Sequence, residues 1–597
     1  MRRKIFGPYL LLLTLCLTLA SAARAQDSQF HIDYTVEVKN PAVSQLHVTA
    51  SVQHIKEPRL ELSLPTWTPG WYTIENYGKN ILHFRITDAR GTVLPYMRTR
   101  KQTWVVETKG LDQLKVEFDY RADVLALNQA KVSKDFAFFT GTELFLMAGG
   151  HRASPSTVRV VVPGGWKIIS ALRETADPAL FTAPDYDTLV DAPTEAGRFD
   201  VTRFEVEGKP HYFVATPAGT FSQEKAQSFT GMLARVASAQ SAIFGGLPYE
   251  KYVYFYFFAP PESNASGALE HANSHVSFAP PGEQAQPEQL IGTASHEFFH
   301  LWNVKRIRPA EMWPYDYSRE NETPLLWVSE GFTNYYGNVA TYRAGLLKQE
   351  DFLERAADAI AGVENNEARS YISPAESSAS TWLGYDTPVA FGISYYTQGQ
   401  NLGALLDLSI RHDTAGRASL DDVMRTLYRD FYGRGRGFST DDMIGIINRL
   451  TRQDYRDFFR RYAWGVEVPP YETIFGYAGY RVEKTTRNGP VFGFGGRFRS
   501  GGLYINSVEP NSPSSEAGLA VGDVILKING EGLQSIRPSE LAGQTVRLTI
   551  RHEGEEKTIS FKVGVQEETG YRLTSVPQPT QDQLRIREGW LKRASAG

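Results

Sequence analysis

The hydrophobic pattern changes period twice along the chain, and this limits the available folds more than any single motif. From Phe30 to about Phe204, apolar residues recur every second position in FHIDYTVEV, QLHVTASVQHI, TWVVET and STVRVVVP, with PGW, DARG and PGGW between them. Alternation broken by turn residues predicts β-strands. From about 205 to 475 the period lengthens to that of helices, as in PEQLIGTASHEFFHLWNVKRI, LLWVSEGFTNYYGNVATYRAGLL and ISYYTQGQNLGALLDLSIRHD. YVYFYFFAP reads as a short buried strand within this stretch, and GALEHANSHVSFAP as extended chain. From about 484 to 566 the short strand-like runs return around AGLAVGDVILKING. The expected class is multidomain α+β.

A chain of 597 residues is too long for one ordinary domain. The expected division is a leader at 1–25, a β-rich domain at 26–204, a mixed domain with a helical C-terminal part at 205–475, a small β-rich module at 484–566 and a loosely held polar tail at 567–597. The leader reads as MRRK, then an apolar stretch, then ARA, with cleavage expected after Ala25 and export to the periplasm or medium. No other apolar run approaches the ~20 residues of a membrane span. Cys16 is the one cysteine, so the mature chain is expected to hold no disulfide, thiolate metal ligand or cysteine nucleophile. Losing Arg2, Arg3, Lys4 and Arg24 from 63 basic residues leaves 59 against 67 acidic ones, a net charge of −8. An acidic surface argues against a nucleic-acid partner.

The chemistry concentrates in His296-Glu297-Phe298-Phe299-His300. On a helix, positions i and i+4 share a face, so both imidazoles can offer a nitrogen to one ion, while Glu297 can reach the attacking water without ligating the metal. A third ligand is needed. Glu330 in LLWVSEGFTNYY sits among apolar neighbours where a carboxylate needs a compensating charge, and a divalent cation supplies one. Tyr396 in ISYYTQG can donate its hydroxyl to an oxyanion, with Tyr395 an adjacent competitor. Glu270, in Gly267-Ala268-Leu269-Glu270-His271, lies in extended chain where an edge strand can pair with a peptide and a carboxylate can hold its ammonium. PTWTPGWYTIENYGKN reads as a packed aromatic corner rather than a substrate contact.

Together HEFFHLWN, WVSEGFTNYY and YTQG resemble the HExxH, third-ligand and tyrosine elements of the gluzincin metallopeptidases, and GALEH resembles the exopeptidase motif of the larger aminopeptidases of that clan. With PTWTPGWY, HLWNVKRIRP and a C-terminal PDZ-like module, the chain is similar to the PDZ-containing glycyl aminopeptidase family over nearly its whole mature length. The resemblance implies a thermolysin-like catalytic domain with one zinc ion per chain, held by His296, His300 and Glu330. It further implies Glu297 as general base, Tyr396 as oxyanion stabiliser and Glu270, with Gly267 and Ala268, at the free amino terminus of a peptide. The implied reaction is release of N-terminal glycine, then alanine. Two departures stand out: 29 residues separate His300 from Glu330, a longer gap than in the larger aminopeptidases, and His271 replaces their asparagine. In the last module, a PDZ-like β-barrel, Phe492-Gly493-Phe494 resembles the loop that holds a peptide's terminal carboxylate. The rival readings are a zinc endopeptidase whose PDZ module tethers substrates, and a PDZ adaptor with a non-catalytic peptidase scaffold.

Overall fold

The computed structural model of the protein describes residues 29–259, 267–384, 391–499, 502–533 and 536–592. The expected leader, with its cleavage point after Ala25, lies outside them. A seven-stranded sheet opens the fold, with β1 (His31–Glu37), β2 (Gln45–Gln53), β3 (Gln113–Arg121) and β4 (Ser156–Val161) at its centre in the order β4-β1-β2-β3. β1 runs antiparallel to β2 and parallel to β4. Along β2 the apolar Leu46, Val48, Ala50 and Val52 face the core and the residues between them do not, as a sheet covered on one face requires.

The second sheet comprises β5 (Asp200–Val206), β6 (Lys209–Thr216), β7 (Tyr252–Phe258), β8 (Ala268–His271) and β9 (Ser274–Ala279), in the order β5-β6-β7-β9-β8. The sequence assigned most of β5 to the N-terminal domain; its full-length pairing with β6 places it here instead. Every residue of β7 is buried, and its period of two splits it between two cores. Tyr252, Tyr254, Tyr256 and Phe258 pack with the helices, while Val253, Phe255 and Phe257 pack against Leu127, Phe138 and Phe199 of the N-terminal part. The central strand thus joins the two domains with apolar surface on both faces.

Helix α1 (Gln223–Phe244) starts at Ser222, whose side chain accepts from the Lys225 N–H, and ends at Gly245 in the left-handed conformation. α2 (Pro287–Phe299) begins with proline at its first position, where the missing N–H costs nothing, and buries Leu290, Ile291, Ala294 and Phe298. A single π-helical turn, Trp327–Gly331, runs directly into α3 (Phe332–Arg343), and α4 (Gln349–Glu364) and α5 (Tyr395–Asp413) complete the wall around α2. The long connection between His300 and Glu330 is not a free loop. Val304, Met312, Tyr315, Tyr317 and Leu326 belong to the N-terminal core, and the Trp67 indole donates to the Asp316 carbonyl at 2.9 Å.

The C-terminal module hangs from a ribbon of two 12-residue strands, β10 (Tyr480–Val491) and β16 (Gly564–Ser575). Between them lie β11 (Phe494–Arg499), β12 (Gly502–Val508), β13 (Val524–Ile528), β14 (Thr545–His552) and β15 (Glu555–Lys562), closed over a small core of its own. The tail expected to be loosely held is instead built in. After β16, helix α6 (Gln581–Trp590) is capped by Thr580 and returns to the peptidase body. There Trp590 is buried and donates to the Tyr335 hydroxyl at 2.9 Å. Polar composition hid this, because a few apolar residues, Ile586, Trp590 and Leu591, enter the core while Arg587 donates to the Ala478 carbonyl at 2.8 Å.

Candidate metal centre and peptide cleft

α2 delivers His296 and His300 one turn apart, with His300 as its C-cap. Their Nε2 atoms lie 2.9 Å apart, and Glu330 Oε2 is 3.2 Å from His300 and 3.5 Å from His296. Ligand atoms of a tetrahedral ion with bonds of about 2.0–2.1 Å would sit about 3.4 Å from one another. The three donors therefore fit one divalent cation with a position left over. His300 Nδ1 donates to the Asn303 carbonyl at 2.7 Å, which leaves its Nε2 lone pair facing the ion.

Glu330 reaches this point because of the π-helical turn, an irregularity that recurs at functional sites. Asn303 fixes the turn: its side-chain amide donates to the carbonyls of Val328 at 2.9 Å and Ser329 at 3.1 Å. One asparagine so orients both His300 and the turn that carries Glu330. α5 crosses the same turn at glycines. A Cβ at Gly399 would lie 2.0 Å from the Trp327 carbonyl oxygen, and one at Gly331 only 2.3 Å from Gly399 Cα. The glycine of YTQG is thus a packing requirement that brings Tyr396 to the metal helix. The Tyr396 ring stacks 6.1 Å from His296, and both line one cavity. The neighbouring Tyr395 hydroxyl is 3.1 Å from Thr381 Oγ1, so it has a partner of its own.

Glu297 and Glu270 approach from the other side. One oxygen of each and one nitrogen of His300 lie within 4.8 Å of one another, and all three residues are buried. Glu297 Oε2 and Glu270 Oε1 have no hydrogen-bond partner among the described residues. Burial, with Glu270 and Glu330 nearby, holds the Glu297 carboxyl well above the usual range against the pull of His300 and Lys305. Burial also pushes Glu330 up, but His300 and His296 reverse the sign and keep it ionised. Three buried acidic side chains crowded together call for added positive charge. The orphaned oxygens mark where it enters.

Ala268 and Glu270 belong to the β8 edge of the second sheet, and Gly267, just before it, lies in the left-handed region at φ +88°. That edge is pinned through Asp191, which the sequence did not single out. Asp191 accepts from the Ala272 N–H at 2.8 Å, pairs with Lys305 at 2.9 Å and meets His271 Nδ1 at 3.1 Å. Burial raises Asp191, but Lys305 and His271 outweigh it and hold the carboxyl near 2. His271, the departure from the asparagine pattern, is therefore a bracket for the edge. Arg306 donates to the Ala272 carbonyl at 2.9 Å, so VKR after the metal helix clamps the hairpin that carries Glu270.

The PTWTPGWY corner is packed, as expected, yet it also closes the cleft. A Cβ at Gly70 would lie 2.6 and 2.8 Å from the two Glu270 oxygens, and Gly70 sits at φ +103°. Tyr72 is buried, its hydroxyl has no partner among the described residues, and its ring meets Trp382 edge-on at 5.7 Å. Glu330 and Glu270 are the acidic groups acting on that hydroxyl. No local pattern could have placed Gly70, Tyr72, Asp191 or Trp382 at the site, since they meet only through the domain interface.

In the C-terminal module, Phe492 and Gly493 form the turn between β10 and β11, which Phe494 begins. Gly493 has φ +72°, and its carbonyl accepts from Ser512 Oγ at 3.2 Å and Ser514 Oγ at 3.1 Å. β11 is an edge of its sheet.

Three family models and one solved structure agree with this architecture. The Peptidase M61 N-terminal domain matches residues 33–198, the M61 glycyl aminopeptidase domain residues 289–402, and a PDZ domain residues 476–563. An aminopeptidase N family protein from Idiomarina loihiensis superposes with a TM-score of 0.76 at 24% identity, over 94% of this chain and 100% of that one. An M1 zinc metallopeptidase from Deinococcus radiodurans aligns over 74% of this chain and 94% of its own, at 18% identity and a TM-score of 0.49. The magnetosome formation protease MamE of Magnetospirillum gryphiswaldense is 33% identical over 87 residues, which are 13% of this chain and 11% of that protein. This chain spans about a tenth of the length of the MamE proteins it matches. With three domain types in the order its sheets and helices require, the chain belongs to the PDZ-containing M61 peptidase family.

Proposed function

We propose that the protein is a zinc-dependent aminopeptidase that removes N-terminal glycine, and then alanine, from peptides. The observation that carries this reading is the closeness of Glu270 to Glu297 and His300, all within 4.8 Å. A residue in extended chain advances about 3.3–3.6 Å. An ammonium held by Glu270 therefore leaves room for one residue before the carbonyl that Glu297 and the metal donors face. β8, as a sheet edge, supplies backbone partners for that residue.

His296, His300 and Glu330 would hold the ion, and two imidazoles with one carboxylate suit zinc. When bound, zinc supplies Lewis acidity toward the scissile carbonyl and the attacking water. Glu297, its carboxylate otherwise unpartnered, takes the proton from that water and passes it to the leaving amine. Tyr396 donates its hydroxyl to the oxyanion. Gly70, Tyr72 and Trp382 wall the space beside Glu270, which supports a preference for residues with little side chain. The edge of β11 beyond the Gly493 turn offers a place for a peptide C-terminus by strand addition. Export from the cytoplasm is part of the same proposal and rests on the leader pattern.

The test is hydrolysis of glycyl-, alanyl- and leucyl-anilides beside amino-acetylated glycyl-anilide, with zinc-loaded protein and Glu297→Gln as control. Turnover of the free-amine glycyl and alanyl substrates, absent for the acetylated one and lost in the variant, is expected. Turnover of the acetylated substrate would remove Glu270 from its role and favour an endopeptidase.

A further inference from the structure

Beside His296 and Tyr396 opens a cavity of about 330 Å³ that Glu270 and Glu297 do not line. Its wall includes Gly292 and Thr293 of α2, Asn338 of α3 and Arg355 of α4. Arg355 is its one side chain of permanent positive charge among the described residues. Its Nη1 donates to Asn338 Oδ1 at 2.9 Å, and no carboxylate pairs with it among the described residues. A guanidinium has five N–H donors, so most remain for a ligand.

The placement follows from two bare positions. Gly292 lies one helical turn before His296, and a Cβ there would come 3.9 Å from Arg355 Nη1. Gly337 of α3 faces the backbone of His296 itself, where a Cβ would stand 3.3 Å from its nitrogen. The guanidinium therefore sits over α2 at the turn before His296, about 6 Å along the helix axis from that residue. A peptide covers that distance in one to two residues. His296, Tyr396 and Arg355 line this one cavity, so chain leaving the cleft along it has Arg355 in its wall.

We propose that Arg355 binds the C-terminal carboxylate of a peptide ending one or two residues beyond the scissile bond. Free di- and tripeptides starting with glycine or alanine are then the preferred substrates. This rests on the aminopeptidase reading of the site. Arg355 is a specificity residue: planar, permanently charged and able to pair with both carboxylate oxygens.

The experiment compares kcat/KM for Gly-Ala-Ala as free acid and as C-terminal amide, using full-length zinc-loaded protein. The expected ratio favours the acid by about 10–100-fold, the usual worth of a hydrogen bond to a charged group. Arg355→Gln should bring the ratio close to one, and Arg355→Lys should leave it between. A ratio near one in the unmutated protein, or a ratio that survives in Arg355→Gln, overturns the proposal while the aminopeptidase reading stands. If Arg355→Gln does not fold, the Arg355→Lys ratio decides by the same rule. Failure to cleave either peptide or glycyl-anilide would fell the aminopeptidase reading and this inference with it.

Discussion

The two flanks of the cleft are built in opposite ways. The metal flank is local: His296, Glu297 and His300 come from one helix and Glu330 from the π-helical turn that leads into α3, with a glycine crossing to hold them. The amine flank is assembled across the whole fold. Gly70 and Tyr72 come from the first domain, Asp191 from the loop after a short helix, Glu270 from an edge strand, and Lys305 from the connection beyond the metal helix. On the proposed reading, reactivity is carried by short spacings along the chain, and selectivity by a domain interface.

Substitutions should separate the flanks. Glu297→Gln removes the proton acceptor but no ligand, so turnover should fall about 10²–10⁴-fold. Its zinc content, measured by elemental mass spectrometry, should stay that of the unmutated protein. Loss of zinc in parallel would make Glu297 part of the ion's support instead. Glu270→Gln should cost about 30–1,000-fold in kcat/KM on free-amine glycyl substrates, as expected when one partner of a buried charge pair is lost. Zinc affinity should move little, which an equilibrium competition with a chelator will show. An equal effect on both would mean that the two flanks are one unit.

Gly399→Ala probes the metal flank through packing alone. A methyl 2.0 Å from the Trp327 carbonyl must push the π-helical turn away from α5. Zinc affinity is expected to fall about 10–100-fold, the cost seen when support of a metal ligand is disturbed. Unchanged affinity would show that the turn holds Glu330 without α5. Tyr72→Ala probes the opposite flank. It should shift the ratio of leucyl- to glycyl-anilide hydrolysis about tenfold toward leucine, the scale of size discrimination in a pocket. An unmoved ratio would place the size limit elsewhere.

The same contrast explains what could be read from the sequence. The change of period at about residue 205 was legible because strand and helix patterns differ over many residues, and the boundary slipped only at β5, whose own pattern cannot name its partner strand. The histidine pair was legible because helical spacing sets which side chains share a face, and Glu330 because a carboxylate among apolar residues needs a compensating charge. Asn303 stood in HLWN in plain view, yet its two carbonyl partners lie 25 and 26 residues on, and nothing local marks them. Tyr72 could be seen only as an aromatic beside Pro-Gly. Its relation to Glu270 depends on two domains packing through β7, which no pattern states. Trp590 was missed for the same reason: with only Ile586 and Leu591 beside it in a polar segment it gives little periodicity, although all three join the peptidase core.

The central claim is that one residue fits between the ammonium at Glu270 and the reactive centre. Mass spectrometry of products from a glycine-led hexapeptide, free and amino-acetylated, tests it most directly. Stepwise loss of single N-terminal residues from the free peptide, with the acetylated one left intact, is the predicted result. Cleavage at an internal bond of either peptide, with both halves released as oligopeptides, would contradict it.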